Sequence, residues 1–151
     1  MRIFPTLDDL VPLVGQEVAT GDWILVTQEQ INLFADATGD HQWIHVDPAR
    51  AEEGPYGATI AHGFLTLSLL PMMFATAIRF EKTRMALNYG LNKVRFPAPV
   101  PVESRLRCRI KLLACDPVAG DGLQIAWEMT VEREGEKKPV CIAEVLQRRY
   151  R

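Results

Sequence analysis

Between Phe64 and Ile78 the chain carries only three polar side chains, Thr66, Ser68 and Thr76, and this segment constrains the fold more than any other. It is shorter than the roughly 20 apolar residues that cross a bilayer, and Pro71 interrupts it. It also exceeds the roughly 3–10 residues of an ordinary strand. A helix that is apolar nearly all round must be buried on most of its surface, so the rest of the chain has to wrap it. Pro71 has no N–H to donate and its ring crowds the preceding turn, which predicts a kink or a break there.

The second half of the chain supplies the wrapping. Leu106, Cys108, Ile110 and Leu112 alternate with Arg105, Arg107, Arg109 and Lys111. Leu123, Ile125, Trp127, Met129 and Val131 then alternate with Gln124, Glu128, Thr130 and Glu132. Such alternation marks antiparallel strands with one dry and one wet face. The basic stripe is expected to pair across to Glu128 and Glu132. A turn is predicted from Asp116-Pro117 to Gly122, and another at Gly135 before a last strand near Val140 to Arg148. Met85–Leu91 reads as a further strand, with Lys93–Phe96 continuing it after an irregularity until Pro97–Pro101 breaks it. The class is α+β, a single domain over residues 1–151 in which a curved antiparallel sheet wraps one long central helix. That arrangement leaves part of the helix and a sheet edge uncovered, so a homodimer is expected.

The first half is more helical. Thr6–Val14 suggests a short helix packing Leu7, Leu10, Val11 and Val14, and Asp22–Val26 a short strand. Thr27 and Gln30 form a capping-box pattern before Ile31, Phe34 and Ala35, and Gly39 closes that helix. A loop from Asp40 to Val46 follows. Asp47-Pro48 then opens another helix, which Gly54-Pro55 stops.

Net charge is −2, which gives a nucleic-acid partner no electrostatic support. Cys108, Cys115 and Cys141 are scattered, as in reduced cytosolic proteins rather than disulfide frameworks. Acidic residues stand where a leader's apolar stretch would be, so a cytoplasmic protein without membrane association is expected.

Chemistry concentrates just before the apolar segment, where Asp40, His41, His45 and Asp47 fall within a few residues and His62-Gly63 follows. His41, His45 and Asp47 match no helical or strand spacing of metal ligands, so no metal is expected. The run Ala37-Thr38-Gly39-Asp40-x-x-x-x-His45-x-Asp47-Pro48, then Ala61-His62-Gly63 ahead of an apolar helix, resembles the MaoC-like, R-specific enoyl-CoA hydratases of the hot-dog fold. Lys93-Val94-Arg95-Phe96-Pro97-x-Pro99-Val100 resembles that family's strand-and-proline segment, and the N-terminal part its NodN-like branch. The resemblance implies hydration of a trans-2-enoyl thioester to the R-3-hydroxyacyl thioester, or its reverse. Asp40 and His45 would hold the water, and the Gly63 N–H would receive the thioester oxygen. His62 would shape the loop and border the substrate. Phe64 and Leu65 would contact the acyl tail, together with Leu67, and Lys93 and Arg95 would contact coenzyme A. No cofactor is implied, since the coenzyme A or carrier-protein thioester is the substrate. Pro71 stands where several relatives carry a serine, and Ser68 is a candidate substitute. A hot-dog thioesterase and a non-catalytic acyl-binding protein are the alternatives.

Overall fold

The computed structural model describes residues 1–151. The elements in chain order are β1 (Arg2–Phe4), a 3-10 helix (Asp8–Leu13), β2 (Glu17–Thr20), β3 (Ile24–Leu25), α1 (Gln28–Thr38), α2 (Trp43–Val46) and α3 (Pro48–Glu52). They continue as α4 (Gly63–Ser68), α5 (Leu70–Ala77), β4 (Ile78–Phe80), β5 (Met85–Arg95), β6 (Arg105–Val118), β7 (Gly122–Arg133) and β8 (Cys141–Tyr150). The main sheet has the order β2-β6-β7-β8-β5, and β3 pairs beside β2 on β6. All its pairings are antiparallel. A separate parallel pair joins β1 to β4.

Alternation dictates the dry face. Leu106, Cys108, Ile110 and Leu112 of β6 are fully buried, as are Ile125, Trp127 and Val131 of β7. They meet Leu70, Met73, Phe74 and Ala77 of α5, with Phe74 edge-on to Trp127 at 5.4 Å. Burying each such large side chain is worth roughly 1.5–3 kcal/mol. The wet face carries the basic stripe: Arg107 pairs with Glu132 at 2.9 Å, and Arg109 with both Glu132 and Glu17. Arg105 uses Glu134 rather than the expected acids, and Lys111, although in register with Glu128, makes no ion pair.

The central helix is two helices. Pro71 falls in the first turn of α5, so the Leu67 carbonyl loses its usual donor and α4 ends at Ser68. The N-terminal turn also departs from expectation. It is a 3-10 helix, so its inward residues recur every third position, and Leu7 and Leu10 are buried while Val11 and Val14 are exposed. The strand predicted over Asp22–Val26 shrinks to Ile24–Leu25. Strand β6 runs through Pro117, which pairs with Leu123, so the turn is shorter than Asp116–Gly122 and closes at Asp121 with φ 59°. Strand β5 is one strand whose register shifts at Asn88/Gly90 and Leu91/Lys93, the irregularity the sequence suggests. Its other edge is unpaired.

Candidate active site

Helix α1 begins and ends as the sequence predicts. The Thr27 hydroxyl accepts from the Gln30 N–H at 3.2 Å, and the Gln30 side chain accepts from the Thr27 N–H at 3.1 Å. Gly39 ends it with φ 78°, which an L side chain rarely adopts. The chain turns there and delivers Asp40 at the surface. The loop beyond is not irregular throughout, because Trp43–Val46 form α2, which carries His45 inward to 6% exposure.

His45 is gripped from both ends. Its Nδ1 lies 2.6 Å from the Ile60 carbonyl oxygen. A carbonyl only accepts, so Nδ1 bears the proton and Nε2 keeps its lone pair. Gln28 of α1 donates its amide N–H to the His45 carbonyl at 2.8 Å. The imidazole is held below its ordinary 6.5, chiefly by burial and further by His62, against the opposing pull of the Ile60 hydrogen bond and the Asp40 charge. It is therefore neutral near pH 7, as a general base must be.

His62 is buried to 2% and stacks on His45, ring centroids 3.8 Å apart. Its Nε2 donates to the Asp40 backbone carbonyl at 2.9 Å, fixing the start of the loop, while its Nδ1 has no partner. Phe34 packs against its other side at 5.0 Å. One side-chain oxygen of Asp40 and one ring nitrogen from each histidine lie within 4.8 Å of one another. Nδ1 of His45 and Nε2 of His62 each face a backbone carbonyl, which leaves each ring one nitrogen without a protein partner. The other conceivable ligands are engaged elsewhere. His41 pairs with Asp36 at 2.9 Å, and Asp47 caps α3 through the Arg50 N–H.

Gly63 opens α4 with His62 as its N-cap. Its N–H belongs to the first helical turn, which has no intrahelical acceptor, and no other group of the protein takes it up. A Cβ at this position would meet the Phe96 ring at 3.0 Å, so the absent side chain matters for space. His45, Tyr56, Gly63, Thr66 and Phe96 line one cavity of about 350 Å³.

The remaining candidates spread out. Phe64 is 69% exposed and edge-on to Phe96, whereas Leu65 turns into the core at 6% and offers an acyl tail nothing in this chain. Leu67 lines a second cavity instead. Lys93 and Arg95 lie on the exposed edge strand β5. Ser68 donates its hydroxyl back to the Phe64 carbonyl at 2.7 Å and lines the second cavity with Pro71, so it does not join Asp40 and His45. The sequence reading misses Gln28, which is 17 residues from the backbone group it holds.

A MaoC like domain matches residues 9–134. The chain is 52% identical over 148 residues to 3-hydroxyacyl-thioester dehydratase Z of Mycobacterium tuberculosis, covering 98% of each. It is 49% identical over 140 residues to nodulation protein N of Rhizobium meliloti, covering 91% of this chain and 87% of that one. Among solved structures, the R-hydratase PhaJ1 of Pseudomonas aeruginosa superposes with a TM-score of 0.68 at 24% identity, over 89% of this chain and 79% of that one. The sheet wrapped on α4 and α5 is the hot-dog fold, and the chain belongs to the MaoC-like dehydratase family.

Proposed function

We propose that this protein is an R-specific enoyl-CoA hydratase, which adds water reversibly to a trans-2-enoyl-CoA to give the (R)-3-hydroxyacyl-CoA. The coarser assignment, a hydratase or dehydratase of 3-hydroxyacyl thioesters, rests on the 52% identity across nearly the whole chain. The R configuration is carried over from the hydratase resemblance. The observation that bears most weight is the tautomer of His45, with Nδ1–H spent on Ile60, the Nε2 lone pair left over, and a ring nitrogen within 4.8 Å of an Asp40 carboxylate oxygen.

In this reading one water lies between His45 Nε2 and Asp40. His45 takes a proton as the water oxygen bonds to the β-carbon. The π electrons move to the α-carbon and thioester oxygen, giving an enolate whose oxygen accepts the Gly63 N–H. The proton is then delivered to the α-carbon, so H and OH have both been added and the catalytic pair is restored. Because one pair serves both carbons, both additions fall on the same face. A positioned acid–base group supplies roughly 10²–10⁴-fold, and a donor placed like Gly63 N–H roughly 10²–10³-fold. Lys93 and Arg95, exposed on β5, would meet the coenzyme A phosphates. A homodimer through the free edge of β5 completes the reading. That strand leaves Met85, Leu87 and Tyr89 exposed.

The test is purified protein with crotonyl-CoA, reading loss of the enoyl absorbance and, in parallel, release of free thiol. Loss of enoyl absorbance without thiol release is expected. Thiol release with the double bond intact would identify a thioesterase, and bound but unchanged thioester an acyl-binding protein.

A further inference from the structure

The second cavity, about 440 Å³, lies between the α4–α5 joint and strands β5, β7 and β8. Leu67, Pro71, Leu91, Met129 and Val145 give it largely aliphatic walls, and Gln147 also lines it. Gln147 continues the inward row of Cys141, Ala143 and Val145 along β8 and is only 6% exposed. A buried amide costs stability unless its polar atoms are paired.

Only one half of this amide is paired. Trp127 Nε1–H donates to Gln147 Oε1 at 3.2 Å, and Arg149 Nε–H donates to the same oxygen at 3.4 Å. Indole and guanidinium can only donate, so the oxygen must face them and Nε2 must face away. No protein group accepts from Nε2, and it is not one of the sealed, unpaired polar atoms of the structure, which are His62 Nδ1 and Arg133 Nε. A locked donor thus borders a mostly apolar cavity. Gly63 and Leu67 lie one turn apart on the same face of α4, roughly 6 Å along its axis. An acyl chain whose carbonyl sits at the Gly63 N–H and which follows this face of α4 would pass Leu67 towards this donor.

We propose that Gln147 sets substrate specificity: the cavity receives the far part of the acyl chain, and Gln147 Nε2–H binds a keto or hydroxyl oxygen carried on it. The preferred substrates are then enoyl thioesters with an oxygen function beyond the double bond. This rests on the hydratase reading above.

The experiment compares medium-chain trans-2-enoyl-CoA thioesters that differ only in whether one methylene beyond the double bond is replaced by a keto or a hydroxyl-bearing carbon, scanned position by position. At the matching position kcat/KM should exceed that of the unsubstituted chain by roughly fivefold to tenfold, the worth of one net hydrogen bond. Gln147→Glu keeps an acceptor for Trp127, gains Arg149 as counter-ion and removes the donor. It should reverse the preference for the keto chain, which can only accept, while the hydroxyl chain, which can also donate, keeps more of its advantage. Near-ultraviolet circular dichroism of the variant verifies that Trp127 stays packed, and Gln147→Met supplies a second donor-free variant. Crotonyl-CoA hydration with no preference at any position, or a preference unmoved in both variants, would overturn this inference alone. Failure to hydrate any enoyl thioester would overturn the hydratase reading and this one with it.

Discussion

At the scale of single residues, the proposed mechanism uses what His45 and Asp40 have left after their structural bonds are counted. His45 spends Nδ1–H on Ile60, and His62 spends Nε2–H on the Asp40 backbone, so the loop is tied down by the neighbour of Gly63. Asp40→Asn and His45→Ala should each lower kcat by roughly 10²–10⁴-fold, with unchanged far-ultraviolet circular dichroism. In the proposed mechanism the pH dependence follows from His45, which would work as a base only when neutral and whose burial lowers its pKa below 6.5. The kcat/KM profile should therefore be flat near pH 7 and fall on an acid limb centred below 6.5; a limb centred above 6.5 would contradict the site. Stability carries the same sign. The folded pKa lies under the unfolded one, so His45's contribution is complete above about pH 6.5 and is lost as the pH falls from there towards the folded value. Gly63→Ala should depress kcat/KM by crowding Phe96, and Phe96→Ala in the same chain should restore part of the loss.

At the scale of elements, what could be read beforehand was what local spacing encodes. Strands β6 and β7 follow directly from their two-residue alternation, and α1 from its capping box and Gly39. Asp40, His45 and Gly63 can be singled out as candidates because they flank one loop and one helix start. Helix α2 was not, since four residues are too few to show a period. The supports of the site were hidden for another reason: Gln28 to His45 and Trp127 to Gln147 are bonds between elements, and no local pattern announces them. Leu65 faces the core, a direction that a segment apolar nearly all round does not announce. The capping box has a consequence of its own, because α1 holds Gln28 in place. Thr27→Ala should cost about 1 kcal/mol in denaturant titration and should also slow turnover, since the His45 backbone loses a fixed anchor. Stability loss with kinetics untouched would separate α1 from the site.

At the scale of the whole molecule, the free edge of β5 and the exposed Met85, Leu87 and Tyr89 leave one side of the sheet open. Unpaired edges bearing apolar side chains invite pairing with another chain. Sedimentation velocity should give twice the chain mass, and Leu87→Lys, which places a charge in both copies, should shift the population to monomer. A monomeric wild-type protein would remove the dimer from the account. No helix is long and apolar enough to cross a membrane, and the apolar segment that raised the question is consumed by the core. The central claim is that a single acid–base pair serves both carbons of the double bond from one side. Hydration of crotonyl-CoA in deuterium oxide, followed by assignment of both new stereocentres, tests it most directly. The account predicts an R hydroxyl at the β-carbon with deuterium added to the α-carbon on the same face. Deuterium on the opposite face, or an S hydroxyl, would contradict it.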